Sequence, residues 1–222
     1  MSCGLAIKVD EGLIFAADGR TSAGLHEVST ARKLIAAGNL SLSQAVVQRL
    51  DAEMNACAEI VGTVLREVER AEAPALARHN VAFDVSFILG GQIKGEPPRL
   101  FLIYPPGNFV EVGDETPYVQ IGGRKYGKPI LDATARTPLS AAGKCALLSF
   151  DSTLRSNAAV GLPIDFIAYP KDSLTPGTAR KIGADDPYFR ALRSRWAAAL
   201  THVFGDLPDP EWIVYRLKSN TR

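Results

Sequence analysis

Four residues could do chemistry together: Ser2, Asp18, Lys33 and Gly38. Ser2 follows Met1 directly, and removal of the initiator Met before so small a residue is expected to make Ser2 the first residue of the mature chain. A terminal Ser carries a hydroxyl nucleophile and an amine base on one residue. An α-amine ordinarily titrates at about 7.7–8.0, so near neutral pH much of it can take the hydroxyl proton, through a water, and later return it to a leaving group. Asp18 falls at the end of a predicted strand, beside the start of the strand before it. A carboxylate there can hold the Lys33 ammonium close to Ser2, where it would stabilise a developing alkoxide. Ala36-Ala37-Gly38-Asn39 leads into a predicted helix, and backbone N–H groups at such an entry can bind an oxyanion. Each feature also has an ordinary reading: a plain chain terminus, a turn Asp with a surface Lys, a helix entry with no ligand.

Other chemistry-bearing residues suggest less. Cys3 precedes Gly4, and class II glutamine amidotransferases use an N-terminal Cys followed by Gly. Here Ser2 stands in front, so Cys3 reads as a packed strand residue. His26, His79 and His202 are not at ligand spacing, so no metal is expected. Leu89-Gly90-Gly91-Gln92 has too few glycines and no following Lys-Ser/Thr for a phosphate loop. No cofactor is expected. Trp196, on an Ala-rich helix, reads as packing or subunit contact.

The elements that must position these residues follow from periodicity. Residues 2–9 and 13–17 read as two strands joined by the Asp10-Glu11-Gly12 turn. Asp18 to Gly24 reads as a polar loop. A helix capped by Ser41 or Ser43 carries Val46, Val47, Leu50 and Met54, and a second helical stretch carries Ile60, Val61, Val64, Leu65 and Val68. Strands are predicted at 83–90, 100–104, 109–112 and 118–121. Thr137-Pro138 opens a helix running to about Ser156, with Pro138 at its first position. A strand at 164–169, a helix capped by Asp185-Asp186-Pro187 and a last strand at 214–217 complete the chain. Strands and helices are segregated in this order rather than alternating singly. That predicts an α+β fold of antiparallel sheets with helices on their outer faces, a four-layer αββα sandwich over 1–222 as a single domain.

Composition narrows the function classes. Of 222 residues, 25 are basic and 24 acidic, with no basic stripe, which argues against nucleic acid as a partner. Three scattered cysteines make no disulfide framework and suit a reducing cytosol. The first residues lack a basic n-region and apolar core, so no signal peptide is predicted. The longest apolar runs fall far short of the roughly eighteen residues of a membrane span. A cytoplasmic protein with no membrane partner is expected.

Several segments resemble a known family. Ser2-Cys3-Gly4-Leu5-Ala6, Phe15-Ala16-Ala17-Asp18-Gly19-Arg20, Arg32-Lys33 and Ala37-Gly38 are similar, in this order, to proteasome β-type subunits and HslV. Pro98 to Pro105, Tyr118 to Gly122, Lys125 to Leu131 and Val160 to Asp165 resemble Anbu, the bacterial proteasome homologue. The resemblance covers nearly the whole chain. It implies the αββα fold of N-terminal-nucleophile (Ntn) hydrolases, with Ser2 as nucleophile, Asp18 as carboxylate, Lys33 as ammonium and the Gly38 amide as oxyanion donor. It implies a peptide substrate and a ring or open spiral of identical subunits. It also points to ATP-grasp-like and transglutaminase-like proteins as partners, through the family's gene neighbourhoods. Departures from the proteasome pattern are visible. Ser replaces Thr at residue 2. Gly123 stands where proteasomes have a Ser near the nucleophile, and Ser156 and Ala159 stand where they have a supporting Asp and Ser. Only four residues separate Lys33 from Gly38, where the family places a strand pair. Two strands of about 5–6 residues and a turn do not fit there, so either a hairpin has been lost or a stretch is absent from this sequence. The second is the expectation, because a core strand is a poor candidate for deletion.

Overall fold

The computed structural model of the protein describes residues 3–23, 27–30, 33–34, 54–132, 137–177, 179–210 and 212. Ser2, Gly38, the predicted helix after Ser41 and the predicted strand at 214–217 lie outside the described residues, as does the stretch that follows Leu34.

The hairpin predicted at the start is present. β1 (Cys3–Val9) and β2 (Gly12–Asp18) pair antiparallel from Gly4↔Ala17 to Val9↔Gly12. Gly12 makes the turn possible: its φ is +144°, and a Cβ there would meet the Tyr169 carbonyl oxygen at 2.0 Å. β8 (Tyr118–Gly122) adds to one side of this hairpin. β9 (Ile164–Pro170) and then β10 (Arg180–Ile182) add to the other, so that a five-stranded antiparallel sheet runs β10-β9-β2-β1-β8. A second sheet comprises β5 (Phe87–Gly91), β6 (Arg99–Ile103) and β7 (Phe109–Glu111).

The strands have two apolar faces because each sheet is covered on both. On β1 and β2, Cys3, Leu5, Ile7, Val9, Ile14 and Ala16 face helix α3 (Leu139–Ser156), whose Ala142, Ala146, Leu147 and Phe150 complete that core. The alternate residues Ala6, Leu13 and Phe15 face the second sheet and meet Leu100, Leu102 and Val112. On the far side of the second sheet, Phe101 and Ile103 pack with Met54, Ala58 and Leu65 of α1 (Met54–Ala77). The layers are therefore helix, sheet, sheet, helix, as predicted.

Several boundaries differ from those predicted, each for a physical reason. The predicted strand at 83–90 forms only from Phe87, because its partner β6 ends at Ile103, Phe87↔Ile103 is the last pair, and Pro105-Pro106 cannot extend the ladder. The predicted helical stretch over Ile60–Val68 extends to both sides and takes in Met54. The predicted polar loop from Asp18 holds the start of a hairpin of its own, β3 (Arg20–Ala23) with β4 (Glu27–Thr30). Pro138 is the N-cap of α3, outside the first helical position. Two further elements were also not predicted. Helix α2 (Arg124–Leu131) contains Gly127 and Pro129, both breakers by composition, and β10 is three residues long. Helix α4 (Pro187–Asp206) starts where expected, with the Asp186 carboxylate accepting from the Phe189 N–H at 2.9 Å. No helix among the described residues is long and apolar enough to cross a membrane.

Candidate active site at the start of the first strand

The register of β1 and β2 places Asp18 across from Cys3, one step past the Gly4↔Ala17 pair. The residue is fully buried and lies on the α3 side of the sheet, two positions along from Ala16. An isolated carboxylate in such a place would be costly, and it is held by donors instead. Asp18 Oδ1 accepts from the Cys3 backbone N–H at 2.8 Å and from Lys33 Nζ at 2.8 Å. The Lys33 side chain is 19% exposed, so its ammonium sits at the rim of the interior rather than in bulk water. Its second acceptor is the Arg20 backbone carbonyl. Asp18 Oδ2 is buried and has no hydrogen-bond partner among the described residues.

The main chain that follows Asp18 is fixed from the opposite side. The Gly19 N–H donates to the Pro163 carbonyl at 2.7 Å, and Arg20 Nη1 donates to the Ala158 carbonyl at 2.7 Å. The segment that leaves α3 thus clamps the exit from β2. That clamp orients the Arg20 carbonyl on which the lysine rests. A Cβ at Gly161 would meet Arg20 Cδ at 2.6 Å, so the close approach depends on that glycine.

Cys3 sits beside the pair and is inert as a nucleophile. Burial pushes its thiol up to about 11, against the opposing effect of the hydrogen bond from Gln120. Gln120 Nε2 also donates to the Gly123 carbonyl at 3.2 Å, while its Oε1 is buried without a partner among the described residues. Gln120 and the Arg20 carbonyl were missed in the sequence. Gln120 carried a signal, since it is a polar residue at an inward position of a predicted strand. A backbone acceptor such as the Arg20 carbonyl has none.

The sequence-predicted site is brought together in part. Asp18 and Lys33 meet as expected, while Ser2 and Gly38 lie outside the described residues. Gly123 abuts Asn157 and Thr153: a Cβ there would lie 3.1 Å from Asn157 Nδ2 and 3.2 Å from Thr153 Cγ2. Ser156, the last residue of α3, is exposed. A cavity of about 300 Å³ adjoins the site. It is lined by Leu34 and by Asp165, Ile167 and Lys181 of β9 and β10, and Asp165 Oδ2 is buried there without a partner among the described residues.

No protein-family model matches the sequence, and no match is found among the curated proteins. Solved structures do match. The chain is 40% identical to Anbu (ancestral beta-subunit) from Yersinia bercovieri, covering 96% of this chain and 100% of that one with a TM-score of 0.82. An Anbu (Gly-1) mutant from Hyphomicrobium sp. strain MC1 is 40% identical over 95% of this chain and 100% of its own, also at 0.82. A helical assembly of the Anbu complex from Pseudomonas aeruginosa is 40% identical over 95% of this chain and 98% of its own, again at 0.82. Identity at this level, end to end, on a superposable αββα fold, places the chain in the Anbu family.

Proposed function

We propose that this chain is a proteasome-like Ntn hydrolase that cleaves peptide or amide bonds through an acyl-enzyme on Ser2, within a cytoplasmic assembly of identical subunits. The observation that carries the reading is the shared oxygen of Asp18, which binds both the Cys3 amide and the Lys33 ammonium. The Cys3 nitrogen is the amide of the Ser2–Cys3 peptide. Each donor lies 2.8 Å from Oδ1, so the ammonium is within about 5.6 Å of the bond that joins residues 2 and 3. A cation so placed and so fixed supports the role assigned to Lys33, which is to stabilise the alkoxide of Ser2.

In the proposed reaction the Ser2 hydroxyl adds to the scissile carbonyl carbon, and its proton passes through a water to the α-amine. The oxyanion is held by the Gly38 N–H. Collapse breaks the C–N bond, and the α-ammonium gives its proton to the leaving amine. Water then adds to the ester by the same route, releasing the acid and restoring Ser2. Asp18 acts as a positioning residue, holding the Lys33 side chain in place. The assembly of the Pseudomonas aeruginosa relative supports a ring or open spiral for this chain.

A second reading has its own support. Gly123 offers no hydroxyl, and α3 ends in an exposed Ser156, so these two positions do not supply the additional hydroxyl and carboxylate that proteasomes have there. A catalytically weak subunit that binds peptides or partner proteins would suit that loss. The two readings separate on one experiment. A β-lactone or epoxyketone probe is expected to modify Ser2 in the wild type, by peptide mapping, and to leave Lys33→Ala and Asp18→Asn unmodified while both fold. An intact mass that retains Met1, together with no labelling, would select the weak-subunit reading.

A further inference from the structure

Asp165 is an acid that the proposed chemistry leaves unused. It stands in β9 opposite Ala17, one step from the Ile164↔Asp18 pair that ends the ladder. Side chains alternate along a strand. Ile164, Phe166 and Ala168 pack with the α3 core, while Tyr169 packs with Leu13 and Leu100 between the sheets. Asp165 is in step with Tyr169, so it points to the face that carries the second sheet. Its Oδ2 is buried and takes no hydrogen bond among the described residues, not even from Lys181, which lies across the ladder from it. Buried polar atoms are nearly always paired, so an orphan oxygen marks where a donor belongs. Asp165 lines the cavity of about 300 Å³ beside the site, with Leu34, Ile167 and Ala179 as apolar wall. Arg180 and Lys181, both exposed, complete the lining, and Arg180 is held by Asp186 at 3.5 Å. The cavity begins next to the catalytic pair: Leu34 follows Lys33 in the chain, and Asp165 is one residue from the partner of Asp18.

We propose that this cavity is a substrate subsite for a lysine or arginine side chain of a peptide, and that Asp165 is the residue that selects it. This rests on the hydrolase reading above and gives it a substrate class. A carboxylate only accepts hydrogen bonds, and the strongest donors to it are charged. The apolar wall suits the methylene stem that such a side chain carries behind its charge. Lys181, at the open side, can donate to the main-chain carbonyls of the same peptide. An acidic side chain would set like charge against Asp165, and an aliphatic one would seal the orphan oxygen from any donor. No group of three or more His, Cys, Asp or Glu able to hold a metal ion occurs among the described residues, so the cation expected is an organic one.

The test uses acetyl-peptide epoxyketones that carry Arg, Leu or Glu in turn at each position before the reactive group, with Ser2 modification followed by intact mass. In the wild type the Arg probe is expected to react about tenfold faster than the Leu probe at one position, with the Glu probe slowest. The ratio of Arg to Leu rates within each protein is the readout, so a general loss of rate does not affect it. Asp165→Asn should bring that ratio close to one. Ala179→Trp, at an exposed part of the wall, should lower it as well, and it decides if Asp165→Asn unfolds or loses all labelling. Equal rates for the three probes in the wild type, with Ser2 labelled, overturn this inference and leave the hydrolase reading standing. An Arg preference that both variants keep also overturns it. If no probe labels Ser2, the hydrolase reading fails, and calorimetric titration with argininamide decides this one. Saturable binding to the wild type that Asp165→Asn loses keeps the cavity as a site for a cationic side chain, and no binding overturns it.

Discussion

Removing the Asp18 carboxylate would strand two donors at once, the Cys3 amide and the Lys33 ammonium, at a fully buried position. Asp18→Ala is therefore expected to cost about 2–4 kcal/mol in urea unfolding, the lower end reflecting the partial exposure of Lys33. Asp18→Asn keeps an acceptor oxygen and should cost less, yet should lose Ser2 labelling equally. That contrast separates a role in folding from a role in chemistry. Cys3 makes a different prediction, about alkaline pH. Burial raises its thiol from 9.0 to about 11. Between those values the folded chain holds a proton that the unfolded chain has released. The thiol's contribution is thus complete below pH 9.0 and lost as pH rises through about 11. Cys3→Ala should flatten that limb by up to about 3 kcal/mol, seen in the difference between wild-type and variant unfolding free energies measured across it.

At the level of elements, α1 meets the turn after β6 in a close contact of glycine on glycine. A Cβ at Gly62 of α1 would meet the Gly107 carbonyl oxygen at 2.1 Å, and Gly107 itself has φ +81° in the turn between β6 and β7. Gly62→Ala must lift the helix or the turn, and should lower the urea midpoint by the equivalent of about 1–3 kcal/mol. How much of the architecture was legible depended on local pattern. β1, β2 and α3 carry mostly apolar runs or an apolar stripe over 7, 7 and 18 residues, and each was found close to its observed bounds. α2 was hidden by Gly127 and Pro129, which an isolated helix would not tolerate. It is held here by α3, where a Cβ on Gly127 would collide with Ser149 Oγ at 2.1 Å. β3 and β4 were hidden because two four-residue strands with mostly polar sequences, RTSA and EVST, carry no apolar alternation to declare them. The Asp18–Lys33 pair was legible from the place of Asp18 at a strand end and, above all, from family resemblance. The Arg20 carbonyl that completes the lysine's environment was not, because only folding brings residues 158–163 against it.

For the molecule as a whole, an exposed apolar stripe at the end of α4, where Leu200, Val203 and Phe204 are 52%, 56% and 79% exposed, sets how it should respond to solvent. Ion pairs at a surface are screened by salt, whereas apolar contacts are strengthened by excluded salts such as sulfate. Sodium sulfate should therefore favour burial of this stripe, raising the weight-average sedimentation coefficient of the wild type and leaving that of Leu200→Glu/Phe204→Glu unchanged. The same whole-molecule view bears on the lysine. One of its two anchors is a main-chain oxygen, which no codon change can delete. Replacing the Arg20 side chain would sever its tie to Ala158 and still leave that oxygen on the backbone. Among descendants of this sequence, the constraint protecting the lysine's seat would therefore be written one step away. It would fall on Gly19 and Gly161, where a single added carbon would strike the Pro163 carbonyl oxygen at 2.9 Å and the Arg20 side chain at 2.6 Å.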